Sequence, residues 1–445
     1  MNKITIKRLI FAFLLIWNTN TIFGQCLPNG ITFTTQQQID DFPSNYPGCS
    51  VVDGNINIQG LYNITNLNGL SQIEEIGGYL NILSSFELDN LSGLDNLHSI
   101  GEYLSLRGNG FINLSGLDNL SFVGGHILIE SNDNLESVAA LSQISEINGD
   151  LIIKYNDLLV SLNGFENLTS ISQALDIEDN DALSSLSSLQ NLTNIEGRLL
   201  IARNNQLQNL NGLQYLIFTG DLWIDGNMQL NSLSGLEALS EINGNLNISG
   251  NFNLVDLSSL HNLTSVDGNI TIGNTYCQSF LGLNGIHTVN GYVSIIANSQ
   301  LTDINGIKNI NASTITDLQI VNNPILSYCA VQSVCDFLEI DPMNAVIHTN
   351  LAGCNSVQEV QDACALGTEE NQLSEIKIFP NPTNGTFEIS GLNDGIVAII
   401  DSQGRTVKHM DLGQANYSIS ELTSGIYFLK ITSENSSVIK QLIKI

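Results

Sequence analysis

From about residue 53 to residue 324 the chain repeats one unit of 23 or 24 residues, and that repeat limits what it can fold into more than any other feature. The unit reads Gly-x-Leu-x-Ile-x-x-Asn-x-x-Leu-x-x-Leu-x-Gly-Leu-x-x-Leu-x-x-Ile. Its closing anchor recurs at Ile76, Ile100, Val123, Ile147, Ile171, Ile195, Thr219, Ile242, Val266 and Val289, always 23 or 24 residues apart. Units of this length that each bury one apolar edge against the next build a solenoid. The repeat therefore predicts a mainly β, elongated β-solenoid of about 12 coils over 54–325.

Two periodicities alternate within a unit. Leu-x-Ile pairs (Leu151/Ile153, Leu175/Ile177, Leu246/Ile248) have the period of a strand with both side chains pointing inward. Leu159, Leu162, Phe165, Leu168 and Ile171 recur every third residue, which suits a tight, partly 3₁₀-like path returning one residue per turn to the core. Roughly five to seven buried aliphatics per coil, at roughly 1.5–3 kcal/mol each, offset the ordering entropy. Asn follows the inward Ile by three residues at Asn109, Asn132, Asn156, Asn180, Asn204, Asn227, Asn251, Asn298 and Asn323. A side-chain amide at that place can satisfy backbone groups that no sheet ladder reaches, so a structural ladder is expected.

The unit departs from leucine-rich repeats in its Asn-to-Leu spacing and in the Gly-x before the strand, as in Asn148-Gly149-Asp150-Leu151. In both respects it resembles the receptor L-domain of growth-factor-receptor ectodomains, which implies a right-handed β-helix-like stack. That resemblance extends to an N-terminal cap, Cys26…Asp41-Phe42-Pro43…Cys49.

Both ends of the chain point to export. Lys3, Lys7 and Arg8 precede an apolar run from Leu9 to Trp17, too short to span a bilayer, which reads as a signal peptide over 1–24 cleaved after Gly24. No later segment is long and apolar enough to span, so membrane insertion is not expected. At the other end, Ile378-Phe379-Pro380-Asn381-Pro382-Thr383-Asn384-Gly385 holds a turn, and in Gly425-Ile426-Tyr427-Phe428-Leu429-Lys430-Ile431 the alternation of Tyr427, Leu429 and Ile431 with Ile426, Phe428 and Lys430 is that of a half-buried strand, as in a small antiparallel β-sandwich. These segments resemble the type A C-terminal sorting domain of the Bacteroidetes type IX secretion system. Pro380, Asn381, Pro382, Asn384, Gly385, Gly425 and Tyr427 carry the motif. The resemblance implies the secretion machinery and its sortase as partners, a secreted or surface-attached location, and removal of 375–445 near 366–376. The stretch 366–374 lacks the repeat and reads as a linker.

An oxidising compartment makes the seven cysteines a bridge framework with one thiol left over. Cys26 and Cys49 close an N-terminal cap over 25–53, a bridge contributing roughly 3 kcal/mol. Cys329, Cys335, Cys354 and Cys364 form a cap over 326–365 with three possible connectivities, of which Cys329–Cys354 with Cys335–Cys364 is preferred. Cys277 takes a core place within the array and is expected as a buried thiol.

Between residues 25 and 374 there are five bases and 37 acids, a net charge of −32. Such a field repels nucleic acid and anionic lipid. None of the six histidines lies in a metal or triad spacing, and His126, His98, His261 and His287 read as solvated. Neither a Gly-x-Ser-x-Gly elbow nor a phosphate loop occurs, so no enzyme and no cofactor are expected. Ca²⁺ takes about six to eight oxygens, more than the strand spacing brings together.

Ligands of solenoids are read by variable positions. The residues between inward pairs run Asn57, Asn81, Ser105, Leu128, Ile152, Asp176, Leu200, Trp223, Asn247, Thr271, Ser294 and Gln319. Leu128, Ile152, Leu200 and Trp223 predict an exposed apolar stripe interrupted by Asp176 and flanked by Asp150, Lys154, Glu178, Arg198, Asp221 and Asp225. A charged rim around an apolar patch marks an interaction surface. Trp223, Leu200, Ile152 and Leu128 are thus the expected anchors for a protein or glycan, with Asp225, Asp176 and Arg198 setting orientation. The alternative is a structural spacer or surface-layer protein without a discrete ligand, which needs only a uniform polar outside.

Overall fold

A computed structural model describes residues 25–374, 377–390, 395–401, 405–414, 416–433 and 436–445. The signal-peptide reading lies outside them. The chain divides into two compact units after Gln173.

In the first unit the parallel strands Ile31–Phe33, Ile56–Ile58, Leu80–Leu83, Leu104–Arg107, Ile127–Glu130 and Leu151–Lys154 pair in chain order. Each sets equivalent residues of successive coils side by side, as Leu128 beside Ile152. The unit opens with the Cys26–Cys49 disulfide and the helix Gln36–Asp40, whose Thr35 and Gln38 form a reciprocal capping box. Ile39 and Phe42 turn inward and close the core at that end.

The second unit continues the pattern from Leu175–Glu178 through Leu199–Ala202, Leu222–Asp225, Leu246–Ser249, Ile270–Gly273, Val293–Ile296 and Leu318–Val321. A strand from outside the repeat, Ala345–His348, adds to the last of these. Around it stand the helices Gln332–Ile340 and Val357–Ser374, joined by Cys335–Cys364, while Cys329–Cys354 ties the segments that lead into them. The helical backbone of Val357–Ser374 includes 366–374, the stretch read as a linker.

The third-residue periodicity buries completely: Leu159, Leu162, Phe165, Leu168 and Ile171 are inaccessible. Short 3₁₀ turns such as Ser187–Leu189 and Ser258–Leu260 carry that path. The anchors sit on two-residue strands of a second, narrower parallel sheet, for example Phe218–Thr219 beside Glu241–Ile242. Thr219, the polar member of the series, is buried with its hydroxyl 3.1 Å from the carbonyls of Gly197 and Asp221.

At the strand's exit a left-handed residue turns the chain, among them Ser131, Tyr155, Asp179 and Arg203 at φ between 52° and 56°. This corner costs a non-glycine residue some strain, and it aims the next side chain inward. The next side chain is the ladder Asn. Asn132 Oδ1 accepts from the Asn109 backbone N–H, and Asn132 Nδ2 donates to the Leu106 carbonyl. Asn180, Asn204, Asn227 and Asn251 repeat the arrangement, all buried. Thr275 replaces Asn in one coil and donates to Asn298 Oδ1 at 2.8 Å. Coil spacing elsewhere depends on glycine: at Gly212, φ is +123° and a Cβ would lie 1.9 Å from the Leu186 carbonyl oxygen.

Beyond residue 376 the strands are antiparallel, in a three-stranded sheet and a four-stranded sheet around a core that includes Phe387, Val397, Tyr417, Leu429 and Ile431. The alternation of Tyr427, Leu429 and Ile431 supplies one inward face, as a half-buried strand requires.

Candidate functional site

Because strand period two sends alternate side chains to opposite faces, residues between inward pairs necessarily point outward. Leu128 and Ile152 lie side by side on the first unit's outer face, half-buried, with Lys154 and Glu130 bridged at 3.3 Å along their edge. Further back on that face Tyr79, Tyr103 and His126 stack in sequence, with centroids 4.5 and 4.6 Å apart. His126 is therefore half-buried in an aromatic stack and not a solvated residue, because the position before each strand faces its equivalent one coil away. Burial, and then the neighbouring Tyr79, push the Tyr103 phenol up.

In the second unit Asp176, Leu200, Trp223 and Asn247 occupy equivalent places on adjacent strands. Trp223 is half-buried while its chain neighbours Leu222 and Ile224 are inaccessible, as an outward residue requires. Arg198, two residues before Leu200 and so on the same face, places Cζ 5.6 Å from the centre of the Trp223 ring. The same guanidinium donates from Nε to Asp176 Oδ1 at 3.1 Å and from Nη2 to Oδ2 at 2.6 Å. The bond to Asp176 raises the Arg198 pKa, against burial, which lowers it.

This arrangement corrects the expected stripe. Leu200 is only 8% exposed although it points outward. It lies between Asp176 and Trp223 on the neighbouring strands, and the side chains of Trp223 and Arg198 flank it, so a medium-sized residue is overtopped by longer neighbours. Trp223 Nε1 and Asn247 Oδ1, on adjacent strands, are both buried and lack hydrogen-bond partners among the described residues.

The carboxylates expected to orient a ligand are engaged. Asp176 is held by Arg198. Asp225 lies 3.9 Å from Arg203, which also meets Glu178 and Asp179 at 2.8 Å each. Arg203 was not legible as a site residue, because it follows the strand at the left-handed corner. Its only sequence signal is that it is a rare base one position before a ladder Asn. Asp221 Oδ1 accepts from the Asn245 backbone N–H at 2.6 Å and from its amide at 2.9 Å, a second small ladder. Among the described residues no cluster of three or more His, Cys, Asp or Glu is placed to hold a metal.

The same face opens into a groove of about 510 Å³ farther along the second unit, over Thr271, Ser294, Gln319 and Val346. Sequence reading passed over it because those outward residues are small and polar, and because its far wall comes from the cap.

In the tail, the two segments of the sorting motif meet. Asn381 Nδ2 donates to the Gln441 carbonyl and Asn381 Oδ1 accepts from the Ile443 N–H. Gly385, at φ +125°, closes the turn beside Thr383, whose backbone exchanges hydrogen bonds with Ile443 and Ile445. Pro380, Pro382 and Asn384 stay exposed around that turn, whereas Tyr427 is buried and donates to the Thr423 carbonyl. Gly425 opens the strand that carries Tyr427. Lys444 Nζ donates to the carbonyls of Ile419, Ser420 and Leu422.

Stacked parallel coils ahead of a small antiparallel domain define a solenoid protein with a separate C-terminal β-domain. Residues 48–106 and 119–183 match the Receptor L domain family, and residues 377–445 match the Secretion system C-terminal sorting domain family. No curated protein matches the chain. The sorting domain implies export to the cell surface or secretion and interaction with the secretion machinery. Neither family is enzymatic, and among the described residues no helix is long and apolar enough to cross a membrane.

Proposed function

We propose that this exported protein binds an extracellular protein or glycan through the outer face of its solenoid sheet. Trp223 carries the reading. It is a large amphipathic side chain on the outside of a strand, backed by Arg198 and the covered Leu200. A half-buried aromatic on the outside of a strand, rimmed by charged side chains, supports a position adapted to contact something else. Asp176, Arg198 and Asp225 act here by fixing the indole's surroundings. Leu128 and Ile152 present a comparable half-buried pair on the first unit. A spacer without a ligand has no use for such an irregular outside.

The test is a binding screen of the full chain against extracellular proteins and glycan arrays, repeated with Trp223→Ala. Loss of an anchor of this kind weakens binding by about thirtyfold or more, equivalent to about 2 kcal/mol. Trp223 is removed from the site if every ligand found in the screen, proteins included, keeps its affinity for Trp223→Ala.

A further inference from the structure

The groove over Thr271 and Gln319 differs from the Trp223 region in one respect: its polar groups are unspent. Ser294 Oγ donates to Gln319 Oε1 at 3.0 Å, which fixes the amide and leaves its Nε2 without a partner among the described residues. The Asp317 carboxylate and the Tyr292 hydroxyl likewise make no side-chain hydrogen bond or ion pair there. Around Trp223, by contrast, Arg198 is bridged to Asp176, and Arg203 to Glu178 and Asp179.

Beside these groups stand apolar surfaces. Tyr292 is 41% exposed, Val346 45% and Met343 89%. The volume of about 510 Å³ lies within the range of small-ligand sites, roughly 300–1,000 Å³. No Lys or Arg lines the groove, and the −32 charge of residues 25–374 adds to the exclusion of anions.

We propose that this groove binds an uncharged sugar residue of an oligosaccharide, its apolar face on Tyr292 and its hydroxyls shared between Asp317 and Gln319. A planar carboxylate and a planar amide supply acceptor and donor to neighbouring hydroxyls, and an exposed aromatic ring covers the C–H face. This inference rests on the sheet-face reading above but uses residues distinct from Trp223.

The full chain is titrated calorimetrically with cellohexaose, maltohexaose, xylohexaose and mannohexaose, and with sialyllactose and a heparin hexasaccharide as acidic probes. Binding of at least one neutral probe is expected, with no binding of the acidic ones. Tyr292→Ala and Asp317→Asn should each weaken it tenfold or more, Tyr292→Phe by less than threefold, and Trp223→Ala by less than threefold. Unchanged thermal midpoints show that the variants fold. Failure of all neutral probes, equal binding of acidic ones, or indifference to Tyr292→Ala and Asp317→Asn overturns the assignment. Oligosaccharide binding abolished by Trp223→Ala alone also overturns it while leaving the sheet-face reading intact, and loss of that reading requires that protein ligands fail as well.

Discussion

Arg198 and Asp176, 22 residues apart, face each other across adjacent strands through two parallel N–H···O bonds, and the guanidinium that makes them also covers the Trp223 indole. A planar, delocalised cation can serve a carboxylate through its edge and an aromatic ring through its face, which lysine cannot do. The pair thereby sets the local environment of Trp223.

Arg198→Ala is expected to expose both Trp223 and Leu200. Trp17 and Trp223 are the two tryptophans of the chain, so once residues 1–24 are removed the fluorescence reports Trp223 alone. Its emission should shift to the red. The stability cost should stay near about 1 kcal/mol, because the Arg198 side chain is 36% exposed and solvent screens the bridge. Unchanged emission would separate Arg198 from the indole.

The Asn ladder predicts a larger effect in the interior. Asn227 is inaccessible, accepts from the Asn204 N–H at 2.9 Å and donates to the Ile201 carbonyl at 2.9 Å. Asn227→Ala leaves these groups unpaired and should cost on the order of 3 kcal/mol in urea denaturation. Asn227→Thr should recover part of that, since Thr275 already occupies the ladder in another coil.

Cys277 is inaccessible and its thiol lies 3.5 Å from the Leu254 carbonyl oxygen. Burial pushes its pKa up to about 12 from an ordinary 9.0. The native thiol should therefore resist a maleimide at neutral pH and react only on unfolding. A raised folded pKa means the native state holds the proton longer than the unfolded state does. The thiol's contribution to stability should thus be level below about pH 9 and decline as pH rises toward 12. Rapid native labelling would contradict this burial.

Processing of the tail is read from mass. The surface form of the protein is expected to end near 366–376, as the resemblance to sorting domains implies. Detection of a peptide ending at Ile445 in that form would refute the cleavage.

The sequence by itself determined the strands, their inward pairs, the Asn ladder and the core place of Cys277. Each follows from a period, two along a strand, three around the coil and 23 or 24 between coils, and a period places residues before any contact is known. It likewise marked Asn381 and the terminal strand as one motif. Only the tertiary structure decided which charges pair. Arg198 had Asp176, Glu178 and Asp221 within reach on its own or neighbouring coils and took Asp176, while Arg203 gathered Glu178, Asp179 and Asp225. Those choices depend on how long, flexible side chains pack across coils, which also covered Leu200. The groove depends on the cap: Met343 and Val346 complete it from outside the repeat, where no period could place them.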